Sequence, residues 1–166
     1  MKNYTVGIDY GTLSARISLV DCDDGHEAAS KELLYPHGVL ESTLPDGTPL
    51  PSDWALQVPS DYMLAITKTL PELIRESGIS PESIKGVGVD FTSCTIIPVT
   101  SDGTPLCELE EYKSHPHAYA KLWKHHGAQD EADLINRVAE ERGEKWFTNY
   151  GSRISCEFAY PKILQI

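Results

Sequence analysis

Apolar and polar positions alternate through VGIDYGTLSARISLV (residues 6–20), where Val6, Ile8, Ile17 and Leu19 are the apolar positions. A period of two predicts two β-strands with Gly11 in the turn between them. The mixed run 27–35, after the turn signal Asp24-Gly25, predicts a third strand, so the chain opens as a β-meander. Periodicity is lost over 36–58, a stretch rich in proline and glycine that predicts a long surface excursion, and such excursions within compact domains are often functional. Helical spacing then follows in Tyr62, Ala65, Ile66, Thr69, Leu70, Leu73 and Ile74, started by Ser60-Asp61 and stopped by Gly78, with Pro71 predicting a kink or break. Ile84–Phe91 reads as a buried strand and Cys94–Thr100 as another, closed by the turn Ser101-Asp102-Gly103. Gln129–Arg142 has helical spacing and ends at Gly143, and a further helix is predicted within 157–166. No internal repeat or low-complexity tract interrupts this order.

Composition narrows the classes. With 166 residues, 40% hydrophobic and 23% charged, the chain suits one core and one globular domain. A formal charge of −11 excludes broad non-specific attraction to nucleic acid or an anionic membrane surface, and leaves room only for a local anion site. Cys22, Cys94, Cys107 and Cys156 form no CxxC pair, which points to reduced thiols rather than a zinc knuckle or redox motif. No window approaches about 18 uninterrupted apolar residues, and Met1 leads into a strand without a basic leader, so a soluble, cytoplasmic protein is expected.

The first turn has more chemistry than a hairpin needs. Asp9, Gly11, Thr12 and Ser14 follow a buried strand, and a turn of this kind offers backbone N–H groups and two hydroxyls to phosphate oxygens. Asp9 at the strand end would hold hydrated Mg²⁺ against a polyphosphate. The plain alternative is a structural turn in which Asp9 and Ser14 bond the backbone and Arg16 is a solvated strand residue. Elsewhere Cys94 reads as a small core residue and Trp123 equally as packing or as a platform for a ligand. His125 and His126, adjacent on a strand, would point to opposite faces and so would not share a metal ion. Asp130, Glu131, Asp133, Glu140, Glu141 and Glu144 read as a solvated helix face, and Glu157 suits a helix N-terminus.

DYGTLSAR resembles the D-x-G-T-x-S-x-R phosphate motif of the FGGY carbohydrate kinases, a branch of the actin-like ATPase superfamily. Three further segments resemble its L-ribulokinase members: GVGVDFTSCTIIPVTSDGTPL (86–106), HAYAKLWKHHGAQDEADLI (117–135) and YGSRISCEFAYPKILQI (150–166). Together they span nearly the whole chain in the expected order. The resemblance implies an α/β fold of the ribonuclease H-like, actin-like type, a mixed sheet with strands near 4–9, 15–21, 27–35, 84–90 and 94–99 and helices on its faces. It implies phosphoryl transfer from ATP, with Mg²⁺, to L-ribulose. Asp9, Gly11, Thr12, Ser14 and Arg16 would form the nucleotide-phosphate side, with Asp9 holding the metal through water. Thr92, Ser93, Cys94, Thr95, Trp123, Lys124, His126 and Glu157 would contact or support the sugar. His125 stands where some members carry aspartate, which changes the local charge.

The resemblance also implies what lies elsewhere. The general-base aspartate and the adenine pocket are expected beyond residue 166, so residues 1–166 read as a partial N-terminal domain, inactive alone, of an enzyme for which a homodimer is allowed. Two alternatives stay open. One is an FGGY kinase for xylulose, ribitol or glycerol. The other is a two-metal nuclease on a related fold, with Asp9 and Asp90 converging at strand ends.

Overall fold

The computed structural model describes residues 2–166; Met1, where the expectation of a missing leader begins, lies outside them. In chain order the elements are β1 (Tyr4–Tyr10), β2 (Ser14–Asp21), β3 (Glu27–Leu34), β4 (Leu56–Gln57), α1 (Pro59–Leu64), α2 (Leu70–Ser77), β5 (Ile84–Phe91), β6 (Ala120–Lys121), α3 (Gln129–Arg142) and α4 (Ala159–Gln165). They divide into two compact units, one formed by the residues up to Gly38 with Val58–Thr92, the other by Val39–Gln57 with Ser93–Ile166. A division of this kind was not part of the single-core expectation.

The first unit is a four-stranded sheet in the order β3-β2-β1-β5. β1, β2 and β3 form the antiparallel meander, while β5 runs parallel to β1. Alternation in β1 and β2 sends Val6, Ile8, Ala15, Ile17 and Leu19 to one face, where they pack with Tyr35, Ala65 and Leu73. The helix that covers this face does not break at Pro71. It passes through a π-turn over Ala65–Thr69, in which the Leu70 N–H reaches back to the Ala65 carbonyl, so that Pro71, which has no N–H, enters the first turn of α2. Gly78 ends α2 in the left-handed conformation, φ 69°.

β5 departs from the expectation of a buried strand. It is paired on one side only, and Val87, Val89 and Phe91 are exposed. The covering helix packs on β2 and β3, and of β5 it is Ile84 that packs against the core while the residues after it are exposed.

In the second unit the 36–58 excursion supplies β4, which pairs with β6, and a tight turn in which Leu44 and Thr48 close around Gly47. The strand expected near 94–99 is absent. Ile96 makes a single bridge to Lys121 and Val99 one to Pro105, because Cys94 takes φ +62° and Pro98 has no N–H to donate. α3 has the expected bounds and its Gly143 cap at φ 61°. Ala139, Phe147 and Ile154 form a small core there, with Ile135 and Phe158 against it.

Candidate functional site

Each unit carries its own group of candidate residues. In the first, strand order reverses at β1: the chain runs from β1 through β2 to β3, then returns to place β5 on the other side of β1. Ligands of open α/β sheets bind outside the carboxyl ends of parallel strands at such a switch point. Asp9 and Asp90 occupy those ends, directly in register across the β1–β5 pair. The same row continues from Asp9 to Arg16 on β2 and from Arg16 to Glu32 on β3. Registered partners share a face, so one line of charge, two carboxylates, a guanidinium and a third carboxylate, crosses the sheet opposite the apolar core.

The turn after β1 is tight. Gly11 donates its N–H to the Ser14 carbonyl at 2.9 Å, and a Cβ at Gly11 would meet that oxygen at 3.0 Å. Close approach, not positive φ, therefore explains the glycine. Thr12 stands in this turn. The Ser14 hydroxyl donates to Glu32 at 2.7 Å and Arg16 reaches Glu27 at 3.4 Å. Hydrogen bonds from Ser18 and Ser30, with Arg16 beside them, hold the Glu27 carboxyl below its ordinary range. A phosphate at this turn would compete with Glu32 for Ser14 and with Glu27 for Arg16. The donor set suits Mg²⁺ in its chemistry, with hard carboxylate oxygens at adjacent strand ends. Mg²⁺ keeps most of its waters and takes one or two carboxylates, as Asp9 and Asp90 offer.

Thr92 follows β5, its N–H donating to the Tyr10 carbonyl at 3.3 Å. The remaining candidates belong to the second unit. Ser93, Cys94 and Thr95 form the turn before Ile96, with Cys94 in the left-handed region. Trp123 and Lys124 lie in a turn after β6, not on a strand, where Trp123 is 40% exposed and Lys124 pairs with Glu41 at 2.6 Å. His126 and Glu157 meet at 2.7 Å, both partly exposed. The two adjacent histidines do point apart, although the backbone is a turn: His125 is fully buried and His126 is exposed. Burial, with Lys121 nearby, pushes the His125 imidazole down to about 4. Its Nδ1 accepts the Ala55 N–H at 3.2 Å, so Nε2 bears the proton and donates to Gln165 at 3.0 Å. Where a carboxylate would carry charge, His125 is a neutral interior group.

Two sets of residues escaped the reading of the sequence. Trp54, inside the proline-rich excursion, packs edge-on against His117 and His125 with the Lys121 ammonium 4.2 Å from its ring centre. Lys162 and Gln165, on the short apolar α4, are turned inward beneath the 122–127 turn. The one available signal was a pair of polar residues three apart in an otherwise apolar helix. An apolar cavity of about 660 Å³ also opens in this unit, lined by Cys94, Ile135, Trp146, Tyr150, Phe158 and Tyr160 among others. Its walls are aromatic and aliphatic, unlike the hydrogen-bonding surface a sugar requires.

No family model matches the chain. A ribulokinase of Mycolicibacterium smegmatis is 51% identical over 166 residues, 98% of this chain and 29% of that protein. A ribulokinase of Geobacillus thermodenitrificans is 48% identical, covering 99% of this chain and 29% of that protein. Among solved structures, a xylulose kinase from Brucella ovis superposes with a TM-score of 0.68 at 16% identity, over 98% of this chain and 29% of that one. Plasmodium falciparum glycerol kinase with ADP gives 0.57 at 17% identity, over 99% and 28%. The fold is thus that of the sugar kinases, the actin-like arrangement expected from the sequence. Within that class the chain is by sequence a relative of the ribulokinases, and it spans about 29% of their length.

Proposed function

We propose that this chain is the N-terminal part of an ATP-dependent, cytoplasmic kinase that phosphorylates L-ribulose. The observation that carries the reading is identity of about half the residues with ribulokinases along the whole of the chain. The placement of Asp9 and Asp90 at the β1–β5 switch point supports it from geometry. In this reading Asp9 holds Mg²⁺ through water, with Asp90 beside it; the metal's contribution when bound is to neutralise phosphate charge. Gly11, Thr12, Ser14 and Arg16 serve the phosphates. Thr92, Ser93, Cys94, Thr95, Trp123, Lys124, His126 and Glu157 orient the ketose, and the proton of its attacking hydroxyl passes to a base outside residues 1–166. No helix of the described residues is long and apolar enough to cross a membrane.

The test is ADP release by the full-length protein with Mg·ATP and a panel of L-ribulose, xylulose, ribitol and glycerol. L-Ribulose is expected to give the highest kcat/KM. Preference for another polyol would reassign the substrate. Mg²⁺-dependent cleavage of an RNA–DNA hybrid without sugar phosphorylation would replace the kinase by the two-metal nuclease.

A further inference from the structure

Lys162 is fully buried, yet its ammonium has no carboxylate against it. Its Nζ donates instead to three main-chain carbonyls: Leu122 at 2.6 Å, Trp123 at 3.0 Å and Cys94 at 3.0 Å. A lysine has three N–H donors, so all are used and none is left for a ligand. Taking an ammonium out of water is unfavourable, and desolvation pushes this amine down to about 8. A methionine would fill similar volume without that cost; what the ammonium adds is the geometry of three carbonyl contacts.

That geometry joins two separate stretches of chain. Cys94 is a non-glycine residue at φ +62°, a conformation that persists only where its surroundings hold it. Its carbonyl is held by the same Nζ that grips the turn carrying Trp123. One helical turn further along α4, Gln165 extends the clasp, accepting from His125 Nε2 at 3.0 Å and donating to the Gly127 carbonyl. Ile96 and Lys121, two residues from Cys94 and from Trp123, exchange backbone hydrogen bonds at 3.0 and 2.8 Å, and the Lys162 ammonium adds to that bridge a side-chain anchor shared by the Cys94 carbonyl and the Trp123 turn.

We propose that Lys162 is a positioning residue for ketose recognition: its buried ammonium fixes the Cys94 loop and the Trp123 turn in one relative arrangement, while Gln165 holds the far end of that turn. This rests on the kinase reading above, in which those two segments face the sugar. Lys162 acts through their backbones and does not touch substrate.

The experiment compares K162M, K162Q and Q165L with wild type in the full-length protein, measuring KM for ketose, KM for ATP, kcat, melting temperature, and the alkylation rate of Cys94 by iodoacetamide, read peptide by peptide. Loosening the two segments is expected to raise ketose KM in K162M by about tenfold or more, since small misplacements of positioning groups carry penalties of that size. Q165L should show a smaller rise in the same direction, and ATP KM should stay within about twofold in all variants. Cys94 alkylation should accelerate in K162M and less in K162Q. Unchanged ketose KM with a loss of kcat matching the loss of folded protein would overturn the proposal and leave Lys162 as scaffold alone. If K162M does not fold, K162Q and Q165L decide, and unchanged ketose KM in both overturns it. A wild type that phosphorylates no ketose defeats the kinase reading instead; the alkylation rates then still test the clasp, and equal rates in wild type and K162Q would sink it.

Discussion

Asp9 and Asp90 stand in register across the parallel β1–β5 pair of the first unit's sheet, one residue before each strand ends. Arg16, the registered partner of Asp9 on its other side, is drawn toward Glu27. The row therefore sets two carboxylates side by side, with Asp90 Oδ1 accepting the Phe91 N–H at 2.9 Å.

Replacing either acid should separate metal handling from folding. Asp9 is exposed at a strand end, so Asp9→Asn in the full-length protein should leave the melting temperature within a few degrees while lowering kcat by about 10²-fold or more, the scale seen when one preorganised electrostatic group is removed. Asp90→Asn should mainly raise the Mg²⁺ concentration needed for half-maximal rate. Titration of activity with Mg²⁺ distinguishes the two, and wild-type kcat in Asp9→Asn would return the turn to a purely structural role.

Local pattern was enough for much of this fold. Strict alternation located β1 and β2, and a capped 3.6-residue period located α3 to the residue. It failed where tertiary context overrides pattern. The apolar run Val87, Val89, Phe91 reads as part of a buried strand, but its burial depends on what covers it, which no local period records. The 94–99 run looked like a strand although Cys94 adopts a positive φ that β-strands exclude. At the site, the Asp9 turn was legible because its residue types are adjacent in sequence. Lys162 and Trp54 were not, since the three carbonyl partners of Lys162 lie 39 to 68 residues back in the chain and Trp54 meets His117 and His125 from beyond β5.

The packing around Trp54 is closed to even one added carbon. A Cβ at Gly127 would lie 2.5 Å from Trp54 Nε1, 2.7 Å from its Cδ1 and 2.9 Å from His125 Nε2. Gly127→Ala should therefore cost about 1–3 kcal/mol, as overpacking of tight interiors does. Trp54→Leu added to Gly127→Ala should recover part of that loss despite removing the contact with Lys121. A double-mutant cycle on urea midpoints checks it; strictly additive effects would mean the backbone shifts freely and the contact is not limiting.

His125 makes stability fall in mild acid. Its folded value of about 4 lies below the ordinary 6.5 because burial disfavours the charged ring. Between these values the unfolded chain binds a proton that the folded one refuses, so stability is intact above about pH 6.5 and is lost as pH falls toward 4. The loss from this group is on the order of 3 kcal/mol. His125→Asn can still accept the Ala55 N–H but does not titrate, and its urea midpoint should fall less steeply across that range. Parallel pH profiles for wild type and variant would place the acid sensitivity elsewhere.

Glu157 is the candidate whose two explanations differ most in their consequences. It meets His126 at 2.7 Å, but both side chains are about half exposed, and exposed pairs of this kind contribute only about 0.2–1 kcal/mol to stability. As a purely structural contact it would scarcely affect anything when removed. If the pair instead borders the ketose site, Glu157 orients His126 and offers acceptor oxygens to sugar hydroxyls, and the loss should appear in substrate binding far beyond its effect on stability. Glu157→Ala in the full-length protein is accordingly expected to shift the melting temperature by a few degrees at most. The same change should raise ketose KM by about tenfold, within the range for losing a hydrogen bond to a charged group. Glu157→Gln keeps one acceptor and should fall between. ATP KM should not move, because no nucleotide role attaches to these two side chains. Equal KM for ketose in Glu157→Ala and wild type, with only the small stability change, would remove Glu157 and His126 from the sugar site and leave them as a surface ion pair.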